Sequence, residues 1–341
     1  KSLDRKVSDF SNKNHQLELH KMKIDHMKSS FSWISTMPFR FLRRKFIDPV
    51  KSNDKSNPTS EYSKWVRKYD FIDNNRLNIF KNEYINLKNK PLFSIILPVH
   101  NTNLRYLKDT INSVFNQVYK NWELCIIDDD SSSQKLKDYL KYISYRENLK
   151  VKFSKKRLNI SESTNIALSY AKGEYIIFLD HDDLLRPHSL LRVAQKIKEH
   201  PWAKILYTDE DKIDSLGRRQ SPFFKPDWSP DLFLTQNFIC HLLCIKKSHL
   251  NLAGGFRKKF DGCQDWDLIL RLLEYTLRCE IIHIPEVLYH WRMSETSCAK
   301  SIDAKEGISV LSKGLVNKYF KKNNINARVK ILNNGYLKVN Y

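Results

Sequence analysis

The stretch at residues 173–187, GEYIIFLDHDDLLRP, decides how the rest of the chain is read. Its apolar run at 175–179 reads as a central strand, stopped by Asp180, His181, Asp182 and Asp183. Pro187 suits the first turn of a helix that continues through Leu190, Leu191, Val193, Ala194 and Ile197. In an open α/β sheet, ligands bind at the carboxyl ends of strands. Clustered carboxylates there repel one another unless a cation or a proton lies between them. An Asp-x-Asp pair brings two oxygens within reach of one hard divalent ion, which can keep substrate phosphates as further ligands. Taken alone, the same acids equally describe a solvated turn capping the helix from Asp182 or Asp183.

Working outward, strands and helices alternate on both sides of this stretch. Upstream, 93–99 reads as a strand, 104–117 as a helix, and 122–127 as a strand that ends in Asp128, Asp129 and Asp130. A helix at 134–144, a strand at 149–153 and a helix at 161–171, capped by Ser161 or Ser163, complete that half. Downstream, 203–207 reads as a strand ending in Thr208, Asp209, Glu210 and Asp211. The alternation then loosens into a proline-rich loop at 221–231, an apolar run at 238–245 with His241 read as core, and a helix at 265–275. Two short strands follow, at 279–284 and 287–291. This order predicts an α/β fold, a mostly parallel sheet with helices on both faces. Three strand ends carrying acids on one sheet edge would make a site that needs cations.

The chain has 341 residues and a formal charge of +21, so an anionic partner is expected: nucleic acid, anionic lipid or a phosphorylated substrate. The charge is spread, with 20 Lys+Arg against 10 Asp+Glu in residues 1–90. Six cysteines without a CxxC pair point to buried thiols in a reducing compartment. No apolar run approaches the roughly 20 residues of a membrane span, and no signal-peptide core is visible at the start. The expected location is cytoplasmic, either soluble or peripheral on the cytoplasmic face of a membrane. Residues 1–60 read as a basic, partly flexible extension, 61–90 as a helical adapter, 91–300 as the main domain, and 301–341 as a C-terminal helix and tail. Within the extension, residues 31–46 mix aromatics with Arg40, Arg43, Arg44 and Lys45. That composition suits either an anionic membrane surface or packing against a partner.

The motifs PVHN at 98–101, IDDDS at 127–131, LDHDD at 179–183, TDED at 208–211, GGF with QDWD within 254–267, and YHWR at 289–292 occur in one order. In that order the chain resembles family 2 glycosyltransferases, most closely bacterial enzymes that build O-antigen and related surface polysaccharides, including rhamnosyltransferase-like members. The resemblance covers roughly residues 91–300. It implies a GT-A fold (Rossmann-like, the nucleotide-diphospho-sugar transferase type), a nucleotide-sugar donor, a divalent metal (Mn²⁺ or Mg²⁺), and inversion at the anomeric carbon. It places Pro98 and Val99 beside the base and ribose and Asp129 on the nucleobase. Asp180 and His181 fall in the donor-binding stretch, with Asp180, Asp182 and His290 on the metal and Asp265 as catalytic base. Two departures from the family pattern stand out: Asp130 where glycine is usual, and Gln264 where an acid commonly precedes the base. Asp209, Glu210 and Asp211 are candidates for acceptor or donor hydroxyls, and Trp228 and Trp266 either stack on sugar faces or pack in the core. The expected acceptor is a glycan or a lipid-linked glycan.

Two other readings compete. A nucleotidyltransferase would need a glycine-rich loop after the first strand, and residues 100–103 contain no glycine. A nucleic-acid-binding protein would account for the charge, but no recognisable nucleic-acid module accompanies it, so no nucleic-acid partner is expected.

Overall fold

The computed structural model describes residues 60–293 and 307–341. The expected extension, its segment 31–46, and Cys298 therefore lie outside the described residues, apart from Ser60.

Two helices open the described chain, α1 (Glu61–Trp65, running on as a π-helical turn to Asp70) and α2 (Asn74–Asn86), the second capped by the Asp73 side chain on the amide of Arg76. The alternating region then gives β1 (Phe93–Val99), α3 (Leu104–Phe115), β2 (Trp122–Asp128), α4 (Gln134–Ile143) and β3 (Leu149–Phe153). It continues through α5 (Ile160–Ser169), β4 (Tyr175–Phe178), β5 (Leu184–Leu185) and α6 (Ser189–Glu199). The second half holds β6 (Ile205–Ile213), β7 (Arg219–Phe223), β8 (Leu243–Lys246), α7 (Gln264–Leu272) and β9 (Ile281–Arg292). A final helix α8 (Ile308–Lys322) and a hairpin of β10 (Arg328–Ile331) and β11 (Leu337–Asn340) close the chain.

The main sheet runs β3-β2-β1-β4-β8-β6-β9-β5, with β7 added beside β6. Its first four strands are parallel, as the alternation predicts. Beyond β4 the sheet is mixed rather than mostly parallel. The chain leaves β4 through α6 to reach β6, and β8 later inserts antiparallel between the two. Every residue of β1 and β2 is buried, because apolar clusters cover both faces.

Three local expectations are corrected. The strand expected at 203–207 runs on to Ile213, so Asp209, Glu210 and Asp211 lie inside β6 rather than beyond its end. The two late strands are one, β9, in which residues 285–287 occupy a single step of β6, a bulge at Pro285, whose missing N–H cannot join the ladder. Helix α5 begins after Asn159, at φ 69°, and neither Ser161 nor Ser163 caps it: the Ser163 hydroxyl instead donates to the Asn159 carbonyl.

Candidate active site

A cavity of about 350 Å³ opens at the carboxyl end of β4. Pro98 from β1, the tip residues Asp180, His181 and Asp182, His241 before β8, Asp265 in the first turn of α7 and Trp291 of β9 all line it. Residues separated by up to 193 positions in the chain thus meet in one cleft because β1, β4, β8 and β9 belong to one sheet.

The acidic tip is held from beneath. The Tyr289 hydroxyl donates to Asp183 Oδ2 at 2.6 Å and accepts the Asp180 amide at 3.2 Å. The Arg292 amide donates to Asp183 Oδ1 at 2.7 Å, and its Nε to the Asp182 carbonyl at 2.7 Å. The Tyr289 ring also stacks on His241, centroids 4.7 Å apart and planes 10° from parallel. This brings His241 Nε2 to 3.8 Å from Asp180 Oδ2.

The chemistry of this set fits a divalent cation. Asp180, Asp183 and His241 each offer a donor atom, all within 4.8 Å of one another. Burial, then the neighbouring Asp180 and Asp182 charges, push the Asp183 carboxyl well above the usual carboxylate range. Burial likewise raises Asp182, against the opposing effect of His181. Oxygen donors with one imidazole suit Mn²⁺ or Mg²⁺.

The expected ligand set is rearranged. Side chains alternate along a strand, so Tyr289, beneath the acidic tip, and Trp291, which lines the cavity, share one side of β9 and His290 takes the other. There its Nδ1 lies 2.5 Å from Asp211 Oδ1. Burial lowers the His290 pKa, with Arg219 and Arg186 adding to the effect of burial against the attraction of Asp211. His241, read from the sequence as core, is the histidine that lies beside Asp180 and Asp183. Asp182 lines the cavity but is not among the three converging donors.

Asp129 is buried, and its carboxylate accepts from Arg157, from the Leu158 amide at 2.7 Å and from the Asn159 amide at 2.9 Å. It thereby fixes the turn leading into α5. Asp130 stands at φ 57°, the left-handed conformation glycine would take and aspartate tolerates, so the turn survives the departure noted above. Val99 is buried in β1 and does not line the cavity. Asp265 accepts from Asn237 Nδ2 at 2.7 Å, while Gln264 Oε1 takes the Gly262 amide at 2.6 Å. Asp267 is fully buried between Arg257 and Arg271, and Arg271 in turn holds the carbonyls of Ala253 and Gly255.

The candidates for sugar hydroxyls are engaged elsewhere. Asp209 binds the Lys225 amide and His283, Glu210 binds the Lys225 ammonium, and Asp211 binds Tyr62, Arg219 and His290. Trp228 and Trp266 both pack on Phe233, at 5.1 and 6.1 Å between centroids, and neither lines the cavity. Sequence reading missed His241, Asn237, Tyr289 and Arg157. The one signal available was a histidine interrupting an apolar run.

Residues 94–244 match the family described as Glycosyl transferase family 2. They form a family 2 glycosyl transferase domain. The chain is 43% identical over 220 residues to an uncharacterized protein of Sinorhizobium fredii, covering 64% of this chain and 24% of that protein. It is 37% identical over 235 residues to the O-antigen biosynthesis protein RfbC of Myxococcus xanthus, covering 67% of this chain and 18% of that one. It thus spans a quarter or less of the length of these relatives. Among solved structures, TarS residues 1–349 of S. aureus in complex with UDP-GlcNAc superposes with a TM-score of 0.52 at 20% identity, over 67% of this chain and 71% of that one. That likeness establishes the GT-A-like fold of this glycosyltransferase domain. Among the described residues no helix is long and apolar enough to cross a membrane.

Proposed function

We propose that this protein transfers a sugar, with inversion, from a nucleotide-sugar donor to a hydroxyl of a glycan or lipid-linked acceptor in surface polysaccharide synthesis. The observation that carries the reading is the single cleft shared by Asp180 and Asp182 on one side and Asp265 on the other. The name of the RfbC relative, an O-antigen biosynthesis protein, supports the polysaccharide context, and the UDP-GlcNAc bound by TarS supports the donor class.

In the proposed chemistry the acceptor hydroxyl attacks the anomeric carbon from the side opposite the departing nucleoside diphosphate, which inverts the configuration. Asp265 takes the proton of that hydroxyl, and the Asn237 amide keeps its carboxylate aimed into the cleft. Asp180, Asp183 and His241 would hold a divalent cation, with Asp182 beside them. When bound, such an ion offsets the charge that builds on the diphosphate. Pro98 at the cavity wall and Asp129, through the turn it fixes, are assigned to the nucleoside side.

The test is nucleoside diphosphate release from a panel of sugar nucleotides with Mn²⁺ or Mg²⁺, repeated with EDTA. Turnover unaffected by EDTA would remove the cation from the account. Association of residues 31–46 with an anionic membrane is a separable part of the proposal. Deleting residues 1–60 is expected to release the protein from anionic liposomes, and unchanged binding would refute it.

A further inference from the structure

Lys225 is a buried lysine outside every motif that marks the site, with its side chain fully inaccessible and its partner Glu210 nearly so. Its ammonium satisfies all three of its donors: Glu210 Oε2 at 2.8 Å, the Ile239 carbonyl at 2.6 Å and the His241 carbonyl. Glu210 Oε2 in turn accepts the amide of His241 at 3.2 Å. The peptide groups on both sides of His241 are therefore gripped by one ion pair. One residue further on, the Leu242 amide donates to Thr208 Oγ1 at 3.3 Å and its carbonyl accepts the Thr208 amide at 3.2 Å. The imidazole itself is fixed by rings, stacked on Tyr289 and edge-on to Trp291 at 5.5 Å.

We infer that Glu210 and Lys225 form a clasp whose role is to set His241 against Asp180 and Asp183, which makes both of them positioning residues for the cation site. The inference rests on the reading of His241 as a ligand. A buried ion pair is a poor source of stability, since apolar side chains of similar volume usually do as well. An ammonium can bind a carboxylate and two carbonyls at once, which no apolar side chain can. Its placement here suits control of one backbone segment. Outer partners of this kind orient ligands, and their loss typically costs about 10–100-fold in metal affinity. The clasp also gives the TDED motif a role its sequence position did not suggest: Thr208 and Glu210 hold the His241 segment from β6.

The experiment is a titration of the full chain with Mn²⁺ alone, following free ion by electron paramagnetic resonance, with thermal unfolding recorded for each variant. Lys225→Met is expected to weaken Mn²⁺ binding about tenfold or more. In a His241→Ala background the same change is expected to cause no further loss, because the clasp acts through His241. The double variant Glu210→Leu/Lys225→Met leaves no unpaired buried charge, so it covers the case in which Lys225→Met does not fold. It is expected to fold and to bind Mn²⁺ as weakly as Lys225→Met. Wild-type affinity in folded Lys225→Met or in the double variant, whatever their unfolding temperatures, would overturn the clasp and leave the His241 reading standing. No Mn²⁺ binding by the wild type, or undiminished binding by His241→Ala, would overturn that reading and the inference with it.

Discussion

Asp265 is the residue on which the proposed chemistry turns. Replacing it with asparagine keeps the shape and the Asn237 contact while removing the base, so transfer is expected to fall about 10²–10⁴-fold with nucleotide binding retained. His283 offers a test of the buried charges in β6. Burial disfavours its charged form, but hydrogen bonds to Asp209 at 2.8 Å and Asp227 at 3.2 Å outweigh that and raise its pKa above 6.5. A histidine whose folded pKa is raised contributes stability that is fully present below its unfolded value and lost as pH rises through the folded one. The gap in unfolding temperature between wild type and His283→Gln is therefore expected to be widest below pH 6.5 and to narrow above it. A gap that grows with pH would contradict this. At this scale Asp180, Asp182 and Asp265 were legible as acids of one cleft, since a carboxylate at a strand end or in a first helical turn carries its own signal. His241 was not, because a lone histidine among apolar residues reads as core until the sheet order sets it beside Asp180. His290 was expected on the metal from the resemblance alone, and in β9 its Nδ1 instead meets Asp211 Oδ1.

Among the elements, the junction before β4 is tightly built. The Gly173 amide donates to Ser94 Oγ at 2.7 Å, and Ser94 Oγ donates to Glu123 Oε1 at 2.5 Å. A Cβ on Gly173 would lie 2.5 Å from the Ser94 amide nitrogen and 2.7 Å from the Leu92 carbonyl oxygen, so β1 itself would have to move. Gly173→Ala is expected to destabilise the protein by about 1–3 kcal/mol in chemical denaturation. The helical segment before β1 is docked on the sheet through Asp70, which accepts from Arg219 at 2.6 Å and from the buried Arg186 three residues past the acidic tip. Asp70→Ala strands that arginine, and a loss on the order of 3–5 kcal/mol is expected. Unchanged stability would show that this segment is not anchored there. Strands β1 to β3 and helices α3 and α4 were legible because short strand-like runs alternate with segments of helical period. The length of β6 was not, since Asp209, Glu210 and Asp211 look like a strand end in sequence. They stay in the sheet because Lys225, His283, Arg219 and Tyr62 neutralise or bind them.

At the scale of the whole molecule, a parallel half and a mixed half share one sheet, and the cleft lies at their boundary, where β4 meets β8. Alternation in the sequence disclosed the first half. The second depends on β8 pairing with both β4 and β6, a long-range arrangement that local pattern does not encode. The chain carries a net +21, while acidic side chains line the cleft. The most direct test of the shared cleft is nucleoside diphosphate release across sugar nucleotides with Mn²⁺, comparing the full chain with Asp265→Asn and Asp182→Asn. The account predicts turnover of at least one donor by the wild type and a loss of about 100-fold or more in Asp265→Asn, with Asp182→Asn also impaired. Wild-type turnover in Asp265→Asn, or no donor turned over at all, would contradict it.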